Sequence, residues 1–326
     1  MAVANNNIDF QGRVAIVTGA GGALGSEYCR LLAARGAAVV VNDLGGTTTG
    51  EGSSSDYADR VVQDIRARGG RAIANYDTVA TAAGGEAMVR AAIENFGRID
   101  IVVNNAGNQR NARFGELTEL DIESVLAVHL KGAFFVTQPA YRHMVQQGYG
   151  RIILVSSQSG IFGNPIRSNY GAAKTAMIGL MNVIAQEAPP GVVVNCLFPN
   201  AVGGRLGGKP GDARPDAEFL AAAGSKVQHY IGGMQSSFVA ALMAYLASEQ
   251  CTRSQNMYSV LGGKYSRIFV GLTRGWYLPG GTPPTPEEIL QHLPQIDDRS
   301  HYDVPLSGLD EMDTVLAAIA RQPTGP

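Results

Sequence analysis

The sequence is poor in cysteine and in charge, and each shortage excludes something. Its three cysteines, Cys29, Cys196 and Cys251, lie far apart and form no C-x-x-C pair. That excludes a disulfide framework or a zinc site and leaves core packing as their role. The five histidines, His129, His143, His229, His292 and His301, show no spacing of the H-E-x-x-H kind, so no metal is expected. Charged residues make up 17% of the chain and the formal net charge is −2. That balance argues against an electrostatic nucleic-acid binder, while leaving room for a local basic patch, and against a disordered chain. No apolar run reaches the length of a membrane span. Residues 1–7 are polar and lack the apolar centre of a secretory signal. These absences lead to the expectation of a soluble, reduced, cytoplasmic protein.

Glycine is plentiful, at 41 residues, and hydrophobic residues reach 45% of the 326, enough for a sizeable core. Val14-Ala15-Ile16-Val17 is a short apolar run that ends in Thr18-Gly19. A helical stretch follows over residues 24–35, then a second apolar run, Ala38-Val39-Val40-Val41, which ends in Asn42-Asp43. Strand, glycine turn, helix and strand make a βαβ unit, and continuously apolar strands belong to a sheet covered on both faces.

The alternation continues. A Gly/Ser/Thr-rich loop spans residues 44–56, and helices are expected at 56–68, 85–96, 120–147, from 170 to about 187, and 236–248. The third of these should bend near Pro139. Strands are expected at 72–77, 99–103, 151–156, 192–197 and 257–261. The fold class is therefore α/β: a doubly wound parallel sheet of the Rossmann type in one domain, residues 8–263, with an extension over 264–326. Residues 203–224, rich in glycine and charge, form either a flap beside the site or an ordinary surface loop. In the extension, Thr285-Pro286-Glu287-Glu288 opens a helix with a cap, an early proline and a capping-box glutamate. Leu309, Met312, Leu316 and Ile319 fall at helical spacing, so that face needs a partner: the same subunit, a neighbouring one, or a substrate to cover.

Ligands of such sheets bind at the carboxyl ends of the strands. The stretch Thr18-Gly19-Ala20-Gly21-Gly22-Ala23-Leu24-Gly25 sits at the first of these ends, where glycines admit a pyrophosphate and a helix N-terminus supplies N–H groups. Asp43 ends the second strand. A carboxylate there accepts hydrogen bonds from ribose hydroxyls and repels a 2′-phosphate, which favours NAD over NADP. Asp77 meets the adenine amino group or caps the next helix. Asn105, Ser157 and Pro199 mark three further strand ends.

Tyr170-Gly171-Ala172-Ala173-Lys174 is the stretch with most chemistry. On a helix, Tyr170 and Lys174 share a face. A phenol keeps its proton to about pH 10 and is a poor base near neutrality, whereas an ammonium one turn away favours the phenolate. Ser157 is placed to hold a carbonyl or alcohol oxygen. The expectation is proton transfer coupled to hydride transfer.

With these residues assembled, residues 12–263 resemble the short-chain dehydrogenase/reductase superfamily, through the loop at Thr18 to Gly25, Asn104-Asn105-Ala106-Gly107, Ser157, Tyr170 and Lys174. The resemblance implies Tyr170 as general acid/base, Lys174 as the holder of the nicotinamide ribose and Ser157 as the orienter of the substrate oxygen. It also implies an NAD site built from Gly19, Gly21, Gly22, Leu24, Gly25, Asp43, Asp77, Thr78, Asn105, Ala106, Gly107, Tyr170, Lys174, Pro199, Asn200 and Ala201, and a homodimer or homotetramer.

A narrower likeness is to the (3R)-hydroxyacyl-CoA dehydrogenase domains of the peroxisomal multifunctional enzymes of type 2. Val39-Val40-Val41-Asn42-Asp43-Leu44-Gly45-Gly46, Ala74-Asn75-Tyr76-Asp77, Val128-His129-Leu130, Gly150-Arg151-Ile152-Ile153 and Phe198-Pro199-Asn200-Ala201 carry it. It implies an acyl-CoA substrate, with a steroid or another apolar alcohol as the alternative. A dinucleotide sensor without catalysis is the alternative of another class, against which the intact Ser157, Tyr170 and Lys174 speak. Arg110, Arg113, Arg205 and Lys209 are either CoA-phosphate contacts or solvated surface charge. Two residues depart from the wider pattern. Ala23 stands at the middle glycine of the loop. His129 stands where the superfamily has a catalytic asparagine, as a proton-relay or water-holding residue or as a structural histidine.

Overall fold

The computed structural model describes residues 7–201, 217–280 and 282–321. The first apolar run becomes β1 (Val14–Thr18), followed by α1 (Ala23–Ala34) and β2 (Ala38–Asn42). The unit repeats through α2 (Asp56–Ala67), β3 (Arg71–Asn75), α3 (Ala82–Phe96) and β4 (Ile101–Asn104). Next come α4 (Glu119–Leu126), α5 (Gly132–Gln147), β5 (Gly150–Val155), the single turn α6 (Ser159–Phe162), α7 (Ser168–Glu187) and β6 (Val192–Pro199). Then α8 (Ala217–Val227) and α9 (Ser236–Ala247) precede β7 (Asn256–Leu261) and β8 (Lys264–Ile268).

These strands form one sheet in the order β3-β2-β1-β4-β5-β6-β7-β8. All pairings from β3 to β7 are parallel. Every residue of β1, β2 and β4 is buried, as a Val/Ile-rich strand is when helices cover both faces. On α2, Ala58, Val61, Val62 and Ile65 form the buried stripe, with polar residues between them. The strand order turns back on itself between β1 and β4, so the loops leaving these two strands frame a crevice.

Three expectations change. The helix expected over residues 120–147 is two helices. They are joined by a widened turn, Ala127–Lys131, in which the Gly132 N–H donates to the Ala127 carbonyl five residues back. The irregularity lies there, and Pro139 is carried inside α5. Proline has no N–H to give the Phe135 carbonyl. That oxygen lies against Gly85 of α3, where any Cβ would collide with it, so a missing donor and a missing side chain set how closely α3 and α5 pack. Second, the sheet does not end at residue 261. Gly262 and Gly263 have φ of 58° and 79°, the two-residue hairpin geometry, and the chain returns as β8. Residues Met1–Arg267 accordingly form one compact unit and Ile268–Pro326 another. Third, of the segment 203–224 expected as a flap or surface loop, residues 203–216 lie outside the described residues, and 217–224 belong to α8.

In the second unit, β9 (Leu272–Thr273) pairs antiparallel with β10 (Tyr302–Asp303), and α10 (Pro286–Ile296) begins with the expected capping box between Thr285 and Glu288. Trp276 stacks on His292 at 3.9 Å between ring centres. In α11 (Gly308–Ala320), Leu309, Met312, Leu316 and Ile319 are 72, 62, 62 and 47% exposed. The apolar spacing forms a helix face as expected, but that face is not buried.

Candidate active site

The glycine loop turns between β1 and α1. Gly19 takes φ 62°, and a Cβ there would stand 2.8 Å from the Ala106 Cα, so the two loops meet backbone to backbone. Asn105 fastens the contact: its side-chain amide donates to the Thr18 carbonyl at 2.9 Å and to the Gly19 carbonyl at 3.2 Å. In return the Thr18 hydroxyl oxygen accepts the Asn105 and Ala106 N–H groups, each at 3.0 Å. Asp43, only 3% exposed, accepts from the Gly21 N–H at 2.8 Å and from the Gly45 N–H at 2.7 Å. One carboxylate thereby shapes both the glycine loop and the turn after β2.

A cavity of about 500 Å³ opens above these loops. Gly19, Gly22, Ala23, Leu24 and Gly25 line it, with Asp43, Asp77, Thr78, Asn105, Ala106, Gly107 and Ala201. Gly21 stands behind this wall, held by Asp43. Pro199 ends β6, and the Asn200 N–H is bonded to the Val260 carbonyl at 2.9 Å, so these two support the wall beside Ala201. The alternative role of Asp77 as a helix cap does not hold: Thr81 caps α3 by accepting from the Gly84 N–H at 3.2 Å. Instead, Asp77 accepts the Asn75 side-chain amide at 2.7 Å at the cavity edge. The donor set suits a dinucleotide. No side chain caps the start of α1, so its first N–H groups remain available to a phosphate. A Cβ on Gly22 would meet nothing closer than the Gly19 carbonyl at 3.4 Å.

The second group of residues lies where β5 and α7 meet. Helix geometry sets Tyr170 and Lys174 one turn apart, 8% and 4% exposed. Ser157 follows β5, and its hydroxyl oxygen accepts the Ser159 N–H at 3.2 Å. Burial raises the pKa of the Tyr170 phenol above its ordinary value. A hydrogen-bonding contact from Ser157, the charge of Arg167 and a second hydrogen-bonding contact from Gln109 pull it back, in falling order. Lys174 stands nearby. Its Nζ donates to the Val155 carbonyl at 2.6 Å and stands 5.7 Å from the centre of the Tyr170 ring. Burial brings the Lys174 pKa down to about 7. The ammonium expected to hold the phenolate is therefore directed at the backbone in this structure, because a buried ammonium takes the nearest strong acceptor.

His129, set by the widened turn, is 4% exposed and stands edge-on to Tyr170, 5.1 Å between ring centres. Its Nε2 lies 2.8 Å from the Asn108 carbonyl oxygen and 3.2 Å from the Asn108 nitrogen. Burial, then the Lys174 charge, drives its pKa well below the usual value, so it is neutral near pH 7. Nδ1 is buried without a hydrogen-bond partner. A void of about 10 Å³ is bounded by His129, Lys174, Thr18, Asn104 and Ala106.

The structure brings Ser157, Tyr170, Lys174 and His129 together, and beside them stands Gln109, which belongs to no motif quoted above. The signal that would have found it is position: it lies in the loop that leaves β4 at the crevice. Of the basic residues weighed for a phosphate, Arg110 is engaged. It donates to the Thr49 carbonyl at 3.1 Å and pairs with Glu51 at 2.9 Å and Asp121 at 3.6 Å. Arg113 is exposed, and Arg205 and Lys209 lie outside the described residues.

Known proteins carry the same pattern. The family model described as short chain dehydrogenase matches residues 13–212. The chain is 37% identical to the peroxisomal multifunctional enzyme A of Dictyostelium discoideum over 97% of its length, spanning 67% of that protein. It is 39% identical to the mouse peroxisomal multifunctional enzyme type 2, covering 91% of this chain but only 38% of the mouse protein. The full-length peroxisomal multifunctional enzyme type 2 of Drosophila melanogaster superposes with a TM-score of 0.76 at 31% identity, over 98% of this chain and 51% of that one. A short chain dehydrogenase from Mycobacterium avium superposes with a TM-score of 0.72 at 32% identity, covering 89% and 97%.

Proposed function

The chain belongs to the short chain dehydrogenase family and is an oxidoreductase, and on that premise we propose an NAD-dependent dehydrogenase that interconverts a (3R)-hydroxyacyl-CoA and the 3-oxoacyl-CoA. The observation that carries the reading is the meeting of Ser157, Tyr170 and Lys174 beside a cavity edged by the Asp43 carboxylate. The choice of substrate leans on the multifunctional enzymes among the relatives, one of which, in yeast, is named a hydratase-dehydrogenase-epimerase.

Asp43, Asp77 and the open N-terminus of α1 would hold the adenosine and pyrophosphate of NAD, with Asn105, Ala106, Gly107 and Ala201 along the rest of the wall. The bound dinucleotide supplies a hydride acceptor. Ser157 presents its hydroxyl to the substrate oxygen and fixes it beside Tyr170. Tyr170 then withdraws the alcohol proton as a phenolate, and returns it in the reverse direction. The reading requires Lys174 to leave the Val155 carbonyl, so that its charge reaches the phenol in a site closed to water. His129, neutral and packed on the Tyr170 ring, keeps that ring in place.

The test is an absorbance assay for NADH formation over 3-hydroxyacyl-CoAs of graded chain length, beside free sterols and with NADP as control. Turnover of the (3R) thioesters with NAD supports the reading. Preference for sterols replaces the substrate and keeps the chemistry. Tight NADH binding without turnover of any alcohol makes the chain a dinucleotide sensor.

A further inference from the structure

β2 and β3 end side by side in two buried asparagines. Asn42 and Asn75 are register partners across the sheet, 2% and 8% exposed. Asparagine is a poor strand former and is mostly found at the surface, so a buried pair at two strand ends needs a reason. The Asn42 side-chain amide donates to Asn75 Oδ1 at 2.8 Å and to the Asp77 carbonyl at 2.9 Å. The same Asn75 oxygen accepts the Asp77 N–H at 3.2 Å, and the Asn75 amide donates to Asp77 Oδ2 at 2.7 Å.

This network leaves neither amide a choice of rotation. A backbone N–H can only donate and a backbone carbonyl can only accept, so the Asp77 backbone fixes which end of each side chain faces it. The –NH2 of Asn75 is thereby committed to the Asp77 carboxylate, a charge-assisted bond from a donor braced by the sheet. The backbone on either side is tied as well. The Asn42 carbonyl accepts the Ala20 N–H of the glycine loop at 2.8 Å, and the Asn75 carbonyl accepts the Asp43 N–H at 3.0 Å. Asp77 lines the nucleotide cavity, and the bond to Asn75 engages its Oδ2, which leaves Oδ1 to a ligand.

The structure assigns Asn75, backed by Asn42, as the positioning residue that fixes Asp77 Oδ1 as an acceptor for the amino group of the cofactor's base. The inference rests on the function proposed above, in which Asp77 holds the adenosine end of the dinucleotide. A carboxylate pinned in one place separates two bases of the same shape. It accepts an N–H from a 6-amino purine and meets a 6-oxo purine oxygen against oxygen. The 6-oxo purine carries a donor too, the ring N–H at the neighbouring atom. A carboxylate free to swing reaches that N–H and loses the distinction, whereas one tethered at Oδ2 cannot follow it.

The experiment measures, by calorimetry on the whole protein, the affinities of NADH and of reduced nicotinamide hypoxanthine dinucleotide, in which an oxygen replaces the 6-amino group. The wild type should prefer NADH by about tenfold or more, the range of one hydrogen bond to a charged group. Asn75→Asp keeps an oxygen for the Asp77 N–H, and so keeps the turn, but it loses the donor and should bring the ratio to within about twofold of unity. Asp77→Asn should reverse the preference, because Asn75 still claims the oxygen of the new amide and turns its –NH2 to the base. Asn75→Asp and Asp77→Asn together should restore the preference for NADH, because the carboxylate at position 75 draws the new –NH2 and frees the oxygen. A residue that only shapes the turn would change the melting temperature without this order of ratios. If Asn75→Asp does not melt cooperatively, Asn75→Ser, which keeps an acceptor but is too short to reach the carboxylate, takes its place. A wild type that binds both dinucleotides equally, a ratio unchanged by the substitution of Asn75, or a double variant that keeps the reversed preference overturns the inference, even with turnover intact. The expected ratios without turnover of any alcohol uphold it and overturn the catalytic reading. Binding of neither dinucleotide overturns both.

Discussion

Lys174 Nζ ends on the Val155 carbonyl oxygen, 2.6 Å away, while the centre of the Tyr170 ring lies 5.7 Å off. The lysine is thus held as a buried cation on backbone, and its cost to folding should be visible. Its pKa is about 7 in the fold against 10.5 as a free side chain. Between those values the unfolded chain binds the extra proton, so this group's contribution to stability rises with pH from about 7 to 10.5. Lys174→Met should flatten the rise, by an amount of the order of a few kcal/mol across the window. Urea midpoints of both proteins from pH 6 to 10 check it, and parallel curves would contradict the burial.

Tyr170→Phe should lower kcat for alcohol oxidation by at least about a hundredfold, the span of general acid–base contributions, while NADH affinity stays within about twofold. In the wild type, kcat/KM for oxidation should rise with pH, because the active form is the phenolate and burial raises the phenol's pKa. Stopped-flow kinetics and NADH fluorescence titration measure the two separately.

Asp43→Ala removes the acceptor of two backbone N–H groups and the negative charge at the cavity edge. NAD affinity should fall tenfold or more, by the roughly 1–3 kcal/mol that an unpaired buried donor costs. The preference over NADP should shrink with it. Calorimetry with both nucleotides reads the ratio, and an unchanged ratio would show that Asp43 serves the loop alone.

Gly21→Ala and Gly22→Ala should separate, although the residues are adjacent. A Cβ at Gly21 would press to 2.5 Å from the Tyr57 Cβ and 2.9 Å from Asp43 Oδ2, so the loop itself must shift. At Gly22 the nearest atom is 3.4 Å away, and the methyl is accommodated. The first change should lower the melting temperature by several degrees, and the second should leave it within about a degree. Thermal unfolding without nucleotide decides it.

The sheet could be read from sequence because its strands are short, apolar and closed by glycine or polar residues, and a parallel sheet buried on both faces demands that composition. The nucleotide loop and Tyr170 with Lys174 could be read because their spacing is local. What was missed depends on contacts distant in sequence or on backbone geometry. The return of the chain at Gly262-Gly263 needs two positive φ angles, which glycine permits without announcing. The split of the long helix at Ala127–Lys131 involves no proline or glycine within it. The direction of the Lys174 side chain was unreadable because its partner, Val155, belongs to another element and offers only backbone. Gln109 was hidden for a similar reason: it belongs to a loop, and the phenol it acts on lies far along the chain in α7.

The five-residue turn between α4 and α5 acts as a phase adjuster. An α-helix advances about 100° per residue, so removing one residue from that turn would restore a regular ladder and rotate all of α5 against α4 by about that angle. α4 is seated on α7 and α5 on α3, two different walls. The extra residue lets α4 and α5 each present the correct face to its wall, with His129 set beside the phenol from the place where the two phases meet.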